Sequence, residues 1–234
     1  MNILAIGAHP DDLEIYCYGT LAKYAKLGHR VFMCSVANGN LGHKEILPDE
    51  LAKVRRAEAK RSAELIGAVH MDLDIGDMKV NSADHVQQEK LVEVIRIAQP
   101  DVIITHCPDD YMPDHCETSK LVFYASFASS IPNYNTPSPC FDPVVPVYYM
   151  EAAGGMGFIP EEYVDISDYL ELKLEAIRCH RSQAQWLDDH DGFNMEEYAT
   201  VSGRYRGIQC NRQYAEGFRK CNVWPRAHSQ RMLP

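Results

Sequence analysis

The feature that most constrains this chain is a short apolar run cut off by glycine and followed at once by imidazole and acid. Ile3-Leu4-Ala5-Ile6 ends at Gly7 and gives way to Ala8-His9-Pro10-Asp11-Asp12-Leu13-Glu14. An apolar run without polar alternation fits a strand covered on both faces. The pattern recurs. Val31-Phe32-Met33-Cys34-Ser35-Val36 stops at Asn38-Gly39, Val69 to Leu73 is a weaker copy, and Asp101-Val102-Ile103-Ile104-Thr105-His106 stops before Pro108. Val147-Tyr148-Tyr149-Met150 reads as one more strand. Between the early strands, residues 50–66 and the stripe Leu91, Val94, Ile95, Ala98 carry helical spacing. Strand and helix alternating at roughly 30-residue intervals predict an α/β fold: a mostly parallel sheet with helices on both faces.

The chain has 234 residues, which suits a single domain. We read residues 1–234 as one unit with its core at about 1–187. The stripe Leu170, Leu174, Ile177, Ala184 predicts one late helix, and from Asp188 the periodicity fades into an elaboration at about 188–234. Residues 131–146 hold five prolines and predict a long loop. Net charge is −10, a surface that repels phosphate backbones, so nucleic acid is not an expected partner. No apolar run approaches the roughly 18 residues of a membrane span. The eight cysteines are scattered without a C-x-x-C pair, and the N-terminal segment lacks the pattern of a secretory signal, so free thiols in the cytoplasm are expected.

In an open parallel sheet, ligands collect at the carboxyl ends of the strands. Two of these ends are chemically loaded. The first packs one imidazole and three carboxylates into residues 9–14, and the fourth continues as His106-Cys107-Pro108-Asp109-Asp110-Tyr111-Met112-Pro113-Asp114-His115. Crowded carboxylates raise each other's pKa unless a cation compensates them, and two such loops could supply His, Asp and His to one ion with a position left open for water. Taken singly, each loop could equally be a turn with a helix cap. No Gly-x-Gly-x-x-Gly follows the first strand, so dinucleotide binding is not supported.

At these residues the chain resembles the PIG-L or LmbE-like family of zinc-dependent N-deacetylases, also called N-acetylglucosaminylphosphatidylinositol deacetylase-like. The likeness rests on Ala8-His9-Pro10-Asp11-Asp12, Gly19-Thr20, Arg55-Arg56-Ala57-Glu58, Pro113-Asp114-His115, His180-Arg181-Ser182-Gln183 and Tyr214-Ala215-Glu216-Gly217-Phe218. It implies a Rossmann-like fold and one Zn2+ per chain, held by His9, Asp12 and His115, with Asp11 as general base. Two departures stand out. Met112 occupies the place where the family commonly has a histidine that stabilises the oxyanion, and the usual glycine-rich stretch reads Tyr16-Cys17-Tyr18-Gly19.

The resemblance implies hydrolysis of an N-acetyl group on an amino sugar or its conjugate. His180 is the expected replacement for the donor missing at Met112. Arg55 or Arg56 could grip the substrate or pair along their helix, Asp110 and Tyr111 could line the mouth, and Asn40 could touch substrate or only make a turn. His106 is left outside the ligand set, and Trp186 is read as core. Loops 131–146 and 188–213 are expected to choose the substrate. The proline-rich loop would suit a contact in a homo-oligomer. Rival readings are another metal-dependent amidohydrolase activity and a metal-containing binding protein without turnover.

Overall fold

The computed structural model describes residues 1–227 and 229–234. Strands β1 (Asn2–Gly7), β2 (Arg30–Ala37), β3 (Val69–Ile75), β4 (Val102–Thr105), β5 (Val147–Tyr149), β6 (Glu162–Asp165) and β7 (Ala215–Lys220) form one sheet in the order β3-β2-β1-β4-β5-β7-β6. The first five are parallel, and β7 runs antiparallel to both of its neighbours. The mostly parallel α/β sheet expected from the sequence is what the chain builds.

Strand alternation divides the core. Leu4, Ile6, Phe32 and Cys34 face one side and pack with Leu91, Ile95, Leu121 and Val122. These last residues come from α4 (His85–Ala98) and α5 (Pro113–Ala128). Ile3, Ala5, Val31 and Met33 face the other side with Tyr18, Leu21, Ala63 and Ala176. Helices α1 (Asp12–Tyr16), α2 (Tyr18–Lys26), α3 (Pro48–Leu65) and α6 (Leu170–Ile177) belong to that layer or its edge. With both faces covered, each inner strand shows the unbroken apolar run seen in the sequence.

The late part of the chain departs from its sequence reading. The single stripe predicted over Leu170 to Ala184 is split into α6 and α7 (Arg181–Asp191), with His180 at the N-cap of α7. Beyond 188, where no period is legible, stand α8 (Met195–Gln209) and β7. The loop at 131–146 contains no helix or strand, as expected. Arg96 holds it by donating to the carbonyls of Ser129, Ile131 and Ser138.

Parallel order reverses at β1, which lies between β2 and β4. The loops leaving β1 and β4 therefore diverge from a switch point, where a crevice opens at the carboxyl edge. Residues 131–146 lead into β5 from the opposite edge. They are not placed to choose a substrate there, which corrects that expectation.

Candidate metal centre and cavity

His9, Asp12 and His115 come together at the switch point, each offering a ligand atom within 4.8 Å of the others. His9 follows β1, Asp12 opens α1, and His115 lies in the first turn of α5, whose start is set by Pro113. Asp12 sits centrally. Its Oδ2 is 3.6 Å from His9 Nδ1 and its Oδ1 is 3.4 Å from His115 Nε2.

The far nitrogen of each imidazole is held by a different carboxylate. His9 Nε2 lies 3.2 Å from Asp114 Oδ2, and His115 Nδ1 lies 3.2 Å from Asp110 Oδ2. These carboxylates are themselves fixed by backbone donors, Met78 N on Asp114 and Met112 N and Ala153 N on Asp110. A carboxylate behind each imidazole is the arrangement that orients metal-bound histidines. His115 Nε2 is buried and has no hydrogen-bond partner among the described residues, so an atom suited to a cation faces Asp12 unspent. The residues fit a divalent metal.

Electrostatics agree. Burial alone would push His9 and His115 down. The carboxylates Asp114 and Asp12 around His9 lift it instead to about 10, and Asp12 and Asp110 lift His115 to about 9. Asp12 is held well below the ordinary carboxylate range, because His115 and His106 outweigh its burial. Asp11 goes the opposite way. Burial raises it, helped by Asp12 and opposed by the Arg55 guanidinium, so it is biased toward taking a proton.

His106 is fully buried, stacked on His115 at 3.9 Å, with Nε2 placed 2.9 Å from Ala8 N and 3.0 Å from Asp12 Oδ2. One nitrogen can serve only one of them at a time. Burial and the charge of His115 depress His106 to about 4, which keeps the ring neutral.

A cavity of about 530 Å³ opens over the cluster. Asp11 and Arg55 line it, joined by an ion pair of 3.0 Å, and Arg55 Nη1 also donates to Gly39 O. Gly39 is required there: its φ is +73°, and a Cβ would come within 2.5 Å of Arg55 Nη1. Tyr111 reaches the rim but is largely exposed. The rest of the lining includes apolar and aromatic side chains, among them Ile15, Tyr16, Leu187, Phe193 and Tyr198.

Four expected site residues stand elsewhere. Arg56 turns away to the surface, where it pairs with Asp72 and Asp74 at 2.9 Å. Asn40 spends its side-chain oxygen on Asp77 N and locks a turn. Asp110 does not line the mouth, because its carboxylate is turned inward onto His115. His180 is fully buried outside the cavity lining, with Nε2 3.4 Å from Glu14 Oε1. Neither of its ring nitrogens has a hydrogen-bond partner among the described residues, and its field lowers Asp11. Trp186, read as core, is half-buried and lies against His190 and His43.

The sequence reading missed Asp77, which accepts from Gly39 N and Leu41 N and fixes the loop that presents Arg55's partner carbonyl. It also missed the backing role of Asp114. Only their neighbourhood to acid-rich loops hinted at either.

A ligand triad backed by carboxylates, with a proton-hungry carboxyl beside it, is the equipment of a metal-dependent hydrolase on an open α/β sheet. The relationship is closer than that class. Residues 4–126 match the family model described as GlcNAc-PI de-N-acetylase, PIG-L, and the chain belongs to this family. A diacetylchitobiose deacetylase from Thermococcus kodakarensis is 33% identical over 234 aligned residues, covering 93% of this chain and 82% of the relative. Among solved structures, an N,N'-diacetylchitobiose deacetylase from Pyrococcus horikoshii superposes with a TM-score of 0.80 at 28% identity, covering 93% of this chain and 82% of that one. A 4-carboxy-2-hydroxymuconate hydratase from Pseudomonas putida gives 0.82 at 26% identity, covering 98% and 99%. Among the described residues, no helix is long and apolar enough to cross a membrane.

Proposed function

We propose that this protein hydrolyses the N-acetyl group of an amino sugar or its conjugate, with one zinc ion per chain held by His9, Asp12 and His115. The observation that carries this reading is the paired arrangement of His9 on Asp114 and His115 on Asp110, both facing Asp12 beside Asp11. When bound, a divalent ion supplies a Lewis acid that polarises the amide carbonyl and makes water acidic.

The protein residues divide the remaining work. Asp11 accepts the proton of the attacking water, for which its raised affinity suits it, and returns that proton to the departing amine. Arg55 holds the Asp11 carboxylate in place and keeps it turned into the cavity. His180 and Glu14 form a buried pair behind Asp11, so His180 is a positioning residue. The eight free cysteines suit the reducing cytoplasm we propose for it.

The hydratase neighbour offers a second reading, favoured by its coverage of the whole chain. The cavity chemistry speaks against a substrate with several carboxylates. Beyond Asp12 and Asp114, which face His115 and His9, its described lining carries Asp11, Asp77 and Asp191, while its one guanidinium, Arg55, is already paired with Asp11. A neutral, hydroxyl-bearing substrate meets no such repulsion. The test is to reconstitute the protein with zinc and assay N-acetylated mono- and disaccharides for free-amine release, beside an unsaturated polycarboxylic acid assayed for water addition. Amine release supports the proposal, and water addition without amine release overturns it.

A further inference from the structure

Hydrolysis of an amide passes through a tetrahedral oxyanion, and this kind of charge is best met by a hydrogen-bond donor already in place. Most polar groups around the cavity are committed elsewhere. Arg55 gives its two terminal nitrogens to Asp11 and Gly39 O and keeps only an enclosed Nε, and the Tyr198 hydroxyl accepts from Gly154 N at 3.1 Å, which ties that phenol to the 153–155 turn. Met112 lines the cavity but has no hydrogen to give. Gln183 sits against Gly42 beside Arg55, and its buried unpartnered atom is the acceptor Oε1, while Tyr111 stands largely in solvent.

Tyr16 is set apart by its place beside the metal ligands. It lines the cavity, and its hydroxyl makes no hydrogen bond among the described residues. It is one helical turn after Asp12 on α1, so the two side chains share a face. Its ring stands edge-on to His115 at 6.3 Å and to His106 at 6.1 Å, which places the phenol beside a ligand of the metal centre. An ordinary phenol titrates near 10 and is a neutral donor at pH 7.

We propose that Tyr16 is a catalytic residue whose hydroxyl donates a hydrogen bond to the oxyanion. This rests on the hydrolase reading above. Water oxygen bonds to the acyl carbon while the C=O π pair moves onto oxygen, and Asp11 takes the water proton. The negative oxygen is held by the Tyr16 O–H, which keeps its proton throughout. Collapse reforms C=O, breaks the C–N bond, and sends the proton from Asp11 to the amine, giving the free amino sugar and acetic acid, which loses its proton to solvent as acetate.

Tyr16→Phe removes the hydroxyl and keeps the ring, so it separates donation from packing. In the zinc-loaded protein, kcat should fall about 10²-fold with KM and zinc content unchanged. A methylphosphonamidate analogue of the N-acetyl sugar, which is tetrahedral at phosphorus, should bind the variant about 10²-fold more weakly, while the amine product binds as before. Unchanged kcat overturns the proposal, as does an equal loss of affinity for analogue and product. Wild-type protein that neither releases amine nor binds the analogue fails the hydrolase reading and takes this role with it. Active wild-type protein with an equally active Tyr16→Phe fails this role alone.

Discussion

Asp11 and Asp12 are neighbours in the chain, yet their carboxyl groups live in opposite fields. Asp12 faces His115 and His106 and stays ionised, as a ligand must; Asp11 is buried against Asp12 and is lifted despite Arg55. Exchange of one oxygen for nitrogen should therefore have different effects at the two positions. Asp11→Asn should keep its metal and lose about 10²- to 10⁴-fold in hydrolysis rate, the usual worth of a placed base. Elemental analysis beside the rate decides it, and metal loss would show that Asp11 is itself a ligand. His115→Ala should lower metal content, and full occupancy would remove His115 from the ligand set. These residues were legible because two short motifs carry them. Asp77, Asp114 and Tyr16 were not, because their roles depend on contacts that only the fold creates.

At the level of elements, a single carboxylate joins the segment before α4 to α5. Glu117 on α5 accepts from the backbone and hydroxyl of Ser82 and pairs with Lys120 at 2.7 Å. Lys120 first, then Ser82, lower Glu117 to about 2 from the usual 4.5. A depressed folded pKa adds stability above the unfolded value and loses it as pH falls. Glu117→Gln should thus lower the melting temperature at pH 7 by about 2 to 4 °C, for about 1 kcal/mol, and the gap to wild type should close between pH 4.5 and about 2. A gap that stays constant across that range would show that the ion contributes nothing. Helix α8 shows why some elements stayed hidden in the sequence. Its buried residues are Met195, Ala199, Gly203, Arg206 and Gly207, apolar only at its start, and Gly207 packs against the carbonyls of Arg212 and Gln213. Strand β7 is similar, because buried Glu216 and Gly217 interrupt the apolar run between Ala215 and Phe218. The inner strands were readable for the opposite reason, their apolar runs being unbroken.

Across the whole molecule, Glu216 ties the last strand to the second helix. It accepts from Gly19 N, Thr20 N and Thr20 Oγ1 at the start of α2 and from Lys173 Nζ at 2.6 Å, all of them buried. Glu216→Ala would strand the Lys173 ammonium, at a cost of about 3 to 5 kcal/mol. At roughly 2 to 4 °C per kcal/mol, that is a melting temperature lower by about 10 °C. Recovery in the double variant Glu216→Leu, Lys173→Met would confirm that the loss comes from the isolated charge. A single variant melting like wild type would show that the tie is idle.

The proposed ligands and base all lie within residues 4–126, while Leu187, Phe193 and Tyr198 bring apolar and aromatic lining to the same cavity from the other half of the chain. On the proposed mechanism, the reacting groups and the wall that meets the substrate lie in separate stretches of the chain. A chimera that exchanges residues 187–198 for a relative's, keeping His180 at the start of α7, can change which molecule is cleaved while leaving the proposed ligands, base and positioning residue in place.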